Sequence, residues 1–325
     1  MEAKATTTWL DDLKREFPAI WRETPHKGFF FGLLAGWLVL FQFWGNPTFG
    51  YVNTASLINY LYELYNAPAS EDGHGNLIPF VVLGLLWHKR DVWGPLRKDI
   101  WPAAICGVAL ALGLHLVGYI SQQPRISAVG LFAGVYFLTG LAWGKAWLRH
   151  TWFPFVLLVF CIPIGSMAGP ITLPLRLIST KITVVVCHVF LGIGVIQDGV
   201  TLIGPKGGYT YEVAAACSGI RSLVALLALT TIYGFVTFRT FWKQALCVVI
   251  AAPLAVTGNV VRLTGIIVGR EAFGEEVAHF VHEWFGFVTF GLAIVCVMLL
   301  GHWLREDHAP ANVDTARPAK EGDPS

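Results

Sequence analysis

The chain has 325 residues, is 55% hydrophobic and 14% charged, and carries a formal net charge of +2 with a mean hydropathy of +0.58. An ordinary soluble domain carries about 25% charged residues, so the composition excludes that class and indicates a polytopic membrane protein, in which the 13 tryptophans suit the membrane interfaces. The near-neutral balance and the lack of a basic stripe with interleaved aromatics argue against a nucleic-acid partner. The six cysteines form no Cys-x-x-Cys pair, which indicates neither a zinc site nor a disulfide framework. No metal or cofactor is expected.

Residues 1–27 are polar and mixed in charge, with Lys4, Lys14, Arg15, Arg22 and Lys27. The next apolar run, Gly28 to Trp44, reads as an uncleaved first helix rather than a signal peptide, because no small-residue cleavage site follows it. A loop with Asn46, Glu63, Glu71, Asp72 and His74 leads to a short second span, Leu77 to Trp87, which ends in His88-Lys89-Arg90. The third span covers Ile100 to Ile120, the fourth Ile126 to Trp143 and the fifth Trp152 to Ile164. Basic clusters at 1–27, 88–98 and 145–150 alternate with loops poor in Lys and Arg. The positive-inside bias then makes the N-terminus cytoplasmic and turns the loops at 45–76 and 121–125 outward.

Residues 166–195 contain Pro170, Pro174, Arg176 and Lys181 before an apolar run. A full span there would place Arg239 and Lys243 outside, against the bias, so an interfacial or re-entrant helix buried in protein is expected. Alternation and a Gly207-Gly208 turn predict an extended hairpin over 195–213. The sixth span is Ala214 to Phe235 and the seventh Ala245 to Val268. An outer loop is predicted at 269–283, and the eighth span at Trp284 to Trp303. The expected fold is all-α and polytopic: about eight transmembrane helices, one re-entrant or interfacial helix and a short outer-face β-hairpin. Residues 28–304 form one transmembrane unit, 1–27 a cytoplasmic segment, and 305–325 a polar tail expected to be disordered and cytoplasmic.

Three residues from different spans come out at the outer face in this topology. Cys217 opens the sixth span, where a helix N-terminus favours the thiolate, and Arg221 lies one turn on, on the same face. Arg262 sits inside an apolar run, which costs about 2.5–3.5 kcal/mol at a helix centre on insertion scales. Asn259 lies three residues before it, and His282 precedes the eighth span. A thiol, a base and a fixed positive charge are the parts of acyl transfer. Each also has a plainer reading: Cys217 as a packing residue, Arg262 snorkelling to the interface, and His282 as an ordinary loop histidine.

At these residues the sequence resembles the exosortase/archaeosortase family of multipass enzymes that process proteins bearing C-terminal sorting signals. The family's A-C-S-G-hydrophobic-R stretch is matched by Ala216-Cys217-Ser218-Gly219-Ile220-Arg221, and its N-x-x-R by Asn259-Val260-Val261-Arg262. The H-x-x-x-G-aromatic stretch is matched by His282 through Phe290. The early S-H-G pattern is present as His74-Gly75, with Asp72-Gly73 where a serine is usual just before the histidine. The resemblance implies Cys217 as the nucleophile that forms an acyl-thioester, Arg262 as the second essential residue and His282 as the third. Histidine rather than arginine at 282 matches the bacterial exosortase type. Ser218, Gly219, Arg221, Asn259, His74 and His279 take supporting or substrate-binding positions, with His279 as a competitor for the role of His282. Chemically, Arg262 fits an electrostatic clamp better than a proton donor.

By the same resemblance the partners are membrane-anchored secreted proteins carrying a Pro-Glu-Pro-like motif, a transmembrane helix and a basic cluster. They would be cleaved at the outer face of the inner membrane and passed to a lipid or exopolysaccharide acceptor. The alternatives are a multipass transporter lined by Asn259 and Arg262, an exopolysaccharide assembly factor without thiol chemistry, and a serine protease using Ser218.

Overall fold

The computed structural model describes residues 9–48, 52–68, 70–164, 169–204, 209–212 and 220–304. These are mostly helical. The helices are α1 (Trp9–Glu23), α2 (Lys27–Trp44), α3 (Leu57–Asn66), α4 (Ile78–His88), α5 (Arg90–Trp93), α6 (Ile105–Ile120), α7 (Pro124–Val156), α8 (Gly169–Val186), α9 (Ile220–Thr237), α10 (Phe241–Phe273) and α11 (Glu275–Trp303). Three short strands, β1 (Ile196–Asp198), β2 (Thr201–Ile203) and β3 (Thr210–Glu212), form one antiparallel sheet in that order. Among the described residues, six helical stretches are long and apolar enough to cross a membrane, and Ile78–His88 and Leu223–Thr237 are shorter apolar helices. Large apolar side chains stand bare on the outside, including Phe80 at 71%, Ile120 at 82% and Phe287 at 74% exposure. A surface of that kind is stable only against lipid or protein.

The first half of the bundle is stapled at both ends. At one end the Tyr65 hydroxyl donates to the Cys161 carbonyl, the Ile164 N–H donates to Asp72 Oδ1 at 3.2 Å, and Arg125 Nε donates to the Pro163 carbonyl at 2.6 Å. The loops at 45–76 and 121–125 thus share one end with residues 161–164. At the other end Trp143 Nε1 donates to the Pro25 carbonyl at 3.0 Å, and the Trp93 and Trp147 rings meet with centroids 4.8 Å apart. α9 runs between these ends. Its Val224 packs on Phe160, and its Phe235 stacks on Phe153 at 3.7 Å. The start of α9, just after the cysteine motif, therefore lies at the Asp72–Ile164 end.

The three strands pair in two successive antiparallel ladders rather than one, and the expected Gly207-Gly208 turn lies outside the described residues. Gly199 at φ 60° makes the first turn, pairing Asp198 with Thr201, and β3 adds on the far side through Leu202 and Tyr211. Val195 and Leu202 are fully buried with Cys187, Leu263 and Ile267, which seats the sheet on α10 and on the π-helical turn Cys187–Leu191 that ends α8. α8 itself packs on α10 and buries Ser179, Thr180 and Thr183. Two of these hydroxyls are satisfied within the helix, Thr180 on the Arg176 carbonyl and Thr183 on that of Ser179, so small polar residues are buried without an orphaned group.

Two expectations, the outer loop and the link between the fourth and fifth spans, need correction, and the first segment gains a helix. The predicted loop at 269–283 is helical apart from Gly274: α10 runs to Phe273 and α11 begins at Glu275. Gly274, at φ 92°, makes the break, a value open to glycine and strained for other residues. Arg270 reaches across to Glu275 at 2.7 Å, and Glu275 and Glu276 favour the N-terminus of α11 through the helix dipole. Within the polar segment 1–27, Trp9–Glu23 is an amphipathic helix that docks through a Glu16–Arg90 ion pair at 2.7 Å and a Phe17–Trp87 ring contact at 6.3 Å. The fourth and fifth spans are joined without a loop. The chain reverses at Gly144, with φ 95° and ψ 173°, so that the Tyr136 hydroxyl meets the Leu148 carbonyl at 2.8 Å.

Gly144→Val tests that reversal. A β-branched residue is excluded from this backbone region, and any Cβ would lie 3.1 Å from the Asp99 carbonyl oxygen. A loss of about 1–3 kcal/mol is expected, seen as a lowered melting temperature in detergent and reduced accumulation in membranes.

A candidate active site between the last two helices

α10 and α11 pack antiparallel along a seam of small residues. Gly258, Gly265 and Gly269 lie on one face of α10, and a Cβ at these positions would meet Thr289, Phe285 and Ala278 at 3.5, 2.9 and 3.5 Å. Small residues let membrane helices approach closely enough for backbone groups to be reached. Arg262 belongs to the same face, between Gly258 and Gly265, and so points at α11 rather than at lipid. Its Nη2 donates to the main-chain carbonyl of His282 at 2.6 Å. Gly286 lies under the guanidinium, where a Cβ would stand 3.8 Å from Arg262 Cζ. A charge-assisted bond of this kind contributes about 1.5–3 kcal/mol and fixes the plane of the guanidinium.

A cavity of about 300 Å³ opens beside this pair between α9, α10 and α11. Its polar end carries Asn259, Arg262 and Glu283; its apolar end is made by Leu226, Leu254 and Ala293. Asn259 is 6% exposed, and its Nδ2 has no hydrogen-bond partner; Arg262 Nε is likewise buried without one. Buried donors left unmade cost about 1–3 kcal/mol each. Two of them lie one turn apart on the cavity lining, where a single acceptor would satisfy both.

The structure brings some of the sequence-derived candidates together. Arg262, Asn259 and the His282 backbone meet at the α10–α11 seam. Arg221 is the second residue of α9, whose Ala225 and Leu226 line the same cavity. Cys217, Ser218 and Gly219 lie outside the described residues. His279 is exposed and faces Glu283 at 3.7 Å, one turn along α11. His74 sits in a 3-10 turn, Gly73–Asn76, packed on the Leu157–Cys161 turn and outside the cavity lining. Burial, chiefly, pushes its imidazole below the ordinary value, against the pull of the Asp72 carboxylate and the main chain of Phe160 and Glu71. His74 thus belongs to the knot that ties the 45–76 loop to residue 161.

Sequence reasoning passed over Gly258, Thr289 and Glu283, which line the cavity. Small-xxx-small spacings on α10, Ala251–Ala255 and Gly265–Gly269, were the available signal.

Compared with known proteins, the chain matches the family model described as transmembrane exosortase over residues 66–299, a stretch that contains Cys217, Asn259, Arg262 and His282. No curated protein and no solved structure gives a match.

Proposed function

The chain belongs to the transmembrane exosortase family, and from that premise we propose that it is a cysteine-type endopeptidase and transpeptidase acting on the C-terminal sorting tails of secreted proteins. The observation that carries this reading is the convergence of three motif-bearing helices. The helix that follows Cys217 lines the same cavity as Arg262, and Arg262 is held by the backbone of His282. In the proposed reaction the Cys217 thiol gives its proton to His282, the thiolate attacks the scissile carbonyl, and the tetrahedral oxyanion forms next to the Arg262 charge. The C–N bond breaks, the departing amine takes a proton from His282, and an acyl-thioester remains. An amine or hydroxyl on a lipid or exopolysaccharide acceptor, or water, then releases the acyl group and restores the thiol.

The sidedness that suits this chemistry follows from charge. The basic clusters at 88–98 and 145–150 lie at the end tied by Trp143 and Trp147, and the positive-inside bias supports a cytoplasmic side for that end. The Asp72–Ile164 end, with the start of α9, then faces the periplasm, in a bacterial inner membrane with both termini inside. The stretch Leu173–Leu191 is long and apolar enough to cross a membrane, while the packing of Val184 and Cys187 near the end of α8 with Leu263 and Ile267, in the outer half of α10, favours an interfacial or re-entrant course.

His282→Ala separates the ring from the backbone, because alanine keeps the carbonyl that holds Arg262. Loss of the proton-transfer group alone is expected to lower processing by about 10²-fold or more. The reading as a whole is checked by gel shift of a tagged secreted protein carrying a Pro-Glu-Pro-type tail, in cells with and without the enzyme. A shift that needs both enzyme and tail is expected; an unshifted tail in enzyme-bearing cells would overturn it.

A further inference from the structure

The two unmade donors and the cavity beneath them ask for one ligand. Asn259 Nδ2 and Arg262 Nε are buried, partnerless and one turn apart on α10, both on the cavity lining. A carbonyl oxygen has two lone pairs and accepts from two N–H groups at once. The rest of the cavity is apolar, formed by Leu226, Leu254, Phe290 and Ala293. At about 300 Å³ it stands at the lower limit of ligand pockets, a size that suits one apolar side chain and its backbone. Glu283 shares the polar end, so an anionic head such as a phosphate meets repulsion that a neutral amide does not. Phe287 is both part of the lining and 74% exposed, so the cavity opens on the flank of the bundle, the side from which a membrane-embedded segment arrives.

We propose that this cavity is a subsite for the substrate's membrane segment: it takes one apolar side chain from the start of that segment, and Asn259 holds the adjoining peptide carbonyl. The proposal rests on the function given above. The cavity runs from Arg262 toward the middle of the membrane, so its occupant lies on the C-terminal side of the cut bond. Asn259 is a binding residue for the segment that leaves, and the cavity sets a size preference there.

The test uses the full-length enzyme in membranes and two sorting tails that differ only in the first three residues of the apolar segment, all Ala or all Phe. Wild type is expected to process the Phe tail about tenfold faster than the Ala tail. Gly258→Leu fills the cavity from α10, and a first added carbon there meets Thr289 at an ordinary 3.5 Å. It is expected to bring the ratio to about one or below. Ala255→Leu fills the same space from another turn and is expected to do the same. The ratio is taken within one variant and is independent of how much protein accumulates. Asn259→Leu removes a donor with no partner in the free protein, so the melting temperature is expected to hold or rise while both tails slow about tenfold. An unchanged Phe-to-Ala ratio in both filled variants overturns the subsite. Altered use of a lipid acceptor at an unchanged ratio does the same and assigns the space to the acceptor. A lowered melting temperature with full processing in Asn259→Leu would make that residue structural and also overturn the proposal. Failure of wild type to process either tail overturns the function itself and the subsite with it.

Discussion

Cys217→Ala and Cys217→Ser are each expected to reduce tail processing by about 10³-fold or more while the protein still accumulates in membranes. In the proposed mechanism no acyl-enzyme forms without the thiol, and the remaining groups would bind and polarise the substrate without cleaving it. The serine variant is the sharper test, because it keeps size and a hydroxyl nucleophile. A free thiol titrates at about 8.5, and a positive charge nearby draws such a group toward the thiolate. A serine hydroxyl gains nothing comparable from the same surroundings, so it stays protonated and inactive. Initial rates of the gel shift for wild type and the two variants, at matched protein levels, make the measurement. Normal processing in both variants would leave Cys217 as packing and bring forward a transporter or assembly role.

Arg262→Lys is expected to cost about 10²–10³-fold in the same assay, although the charge is kept. The guanidinium has separate arms for separate tasks: Nη2 donates to the His282 carbonyl at 2.6 Å, and Nε is buried without a partner, where the proposed substrate would meet it. Gly286 gives the flat group its place, with Cζ 3.8 Å from where a Cβ would be. A lysine ammonium is a compact point charge on a flexible stem. Anchored on the His282 carbonyl, it offers no second arm in a fixed direction; turned to the ligand, it abandons the carbonyl. The melting temperature is expected to fall as well, by the loss of one interhelical bond worth about 1.5–3 kcal/mol. A lysine variant that processes at the wild-type rate would reduce Arg262 to a diffuse charge.

The spans were legible where the chain is uniformly apolar. The expected Gly28 to Trp44 is the helix Lys27–Trp44, and the expected Ile100 to Ile120 contains Ile105–Ile120 after a short 3-10 turn. The readings failed where charge or a single glycine decides. Hydropathy ends a span at the first cluster of charges, yet α10 and α11 continue past theirs, because an Arg270–Glu275 pair satisfies them at the helix ends. Gly144 reverses the chain with no loop composition to announce it. At the site, Asn259 and Arg262 could be placed on one face from their spacing. That Arg262 grips a main-chain carbonyl could not, since any residue at 282 supplies that acceptor.

The most direct measurement is the intact mass of purified enzyme after brief exposure to a sorting-tail substrate without acceptor. A wild-type adduct of the cleaved fragment, lost on treatment with hydroxylamine and mapped to Cys217, is the predicted result, with no adduct in Cys217→Ala. Cleavage with no adduct at Cys217, or the same adduct in Cys217→Ala, would contradict the thiol mechanism.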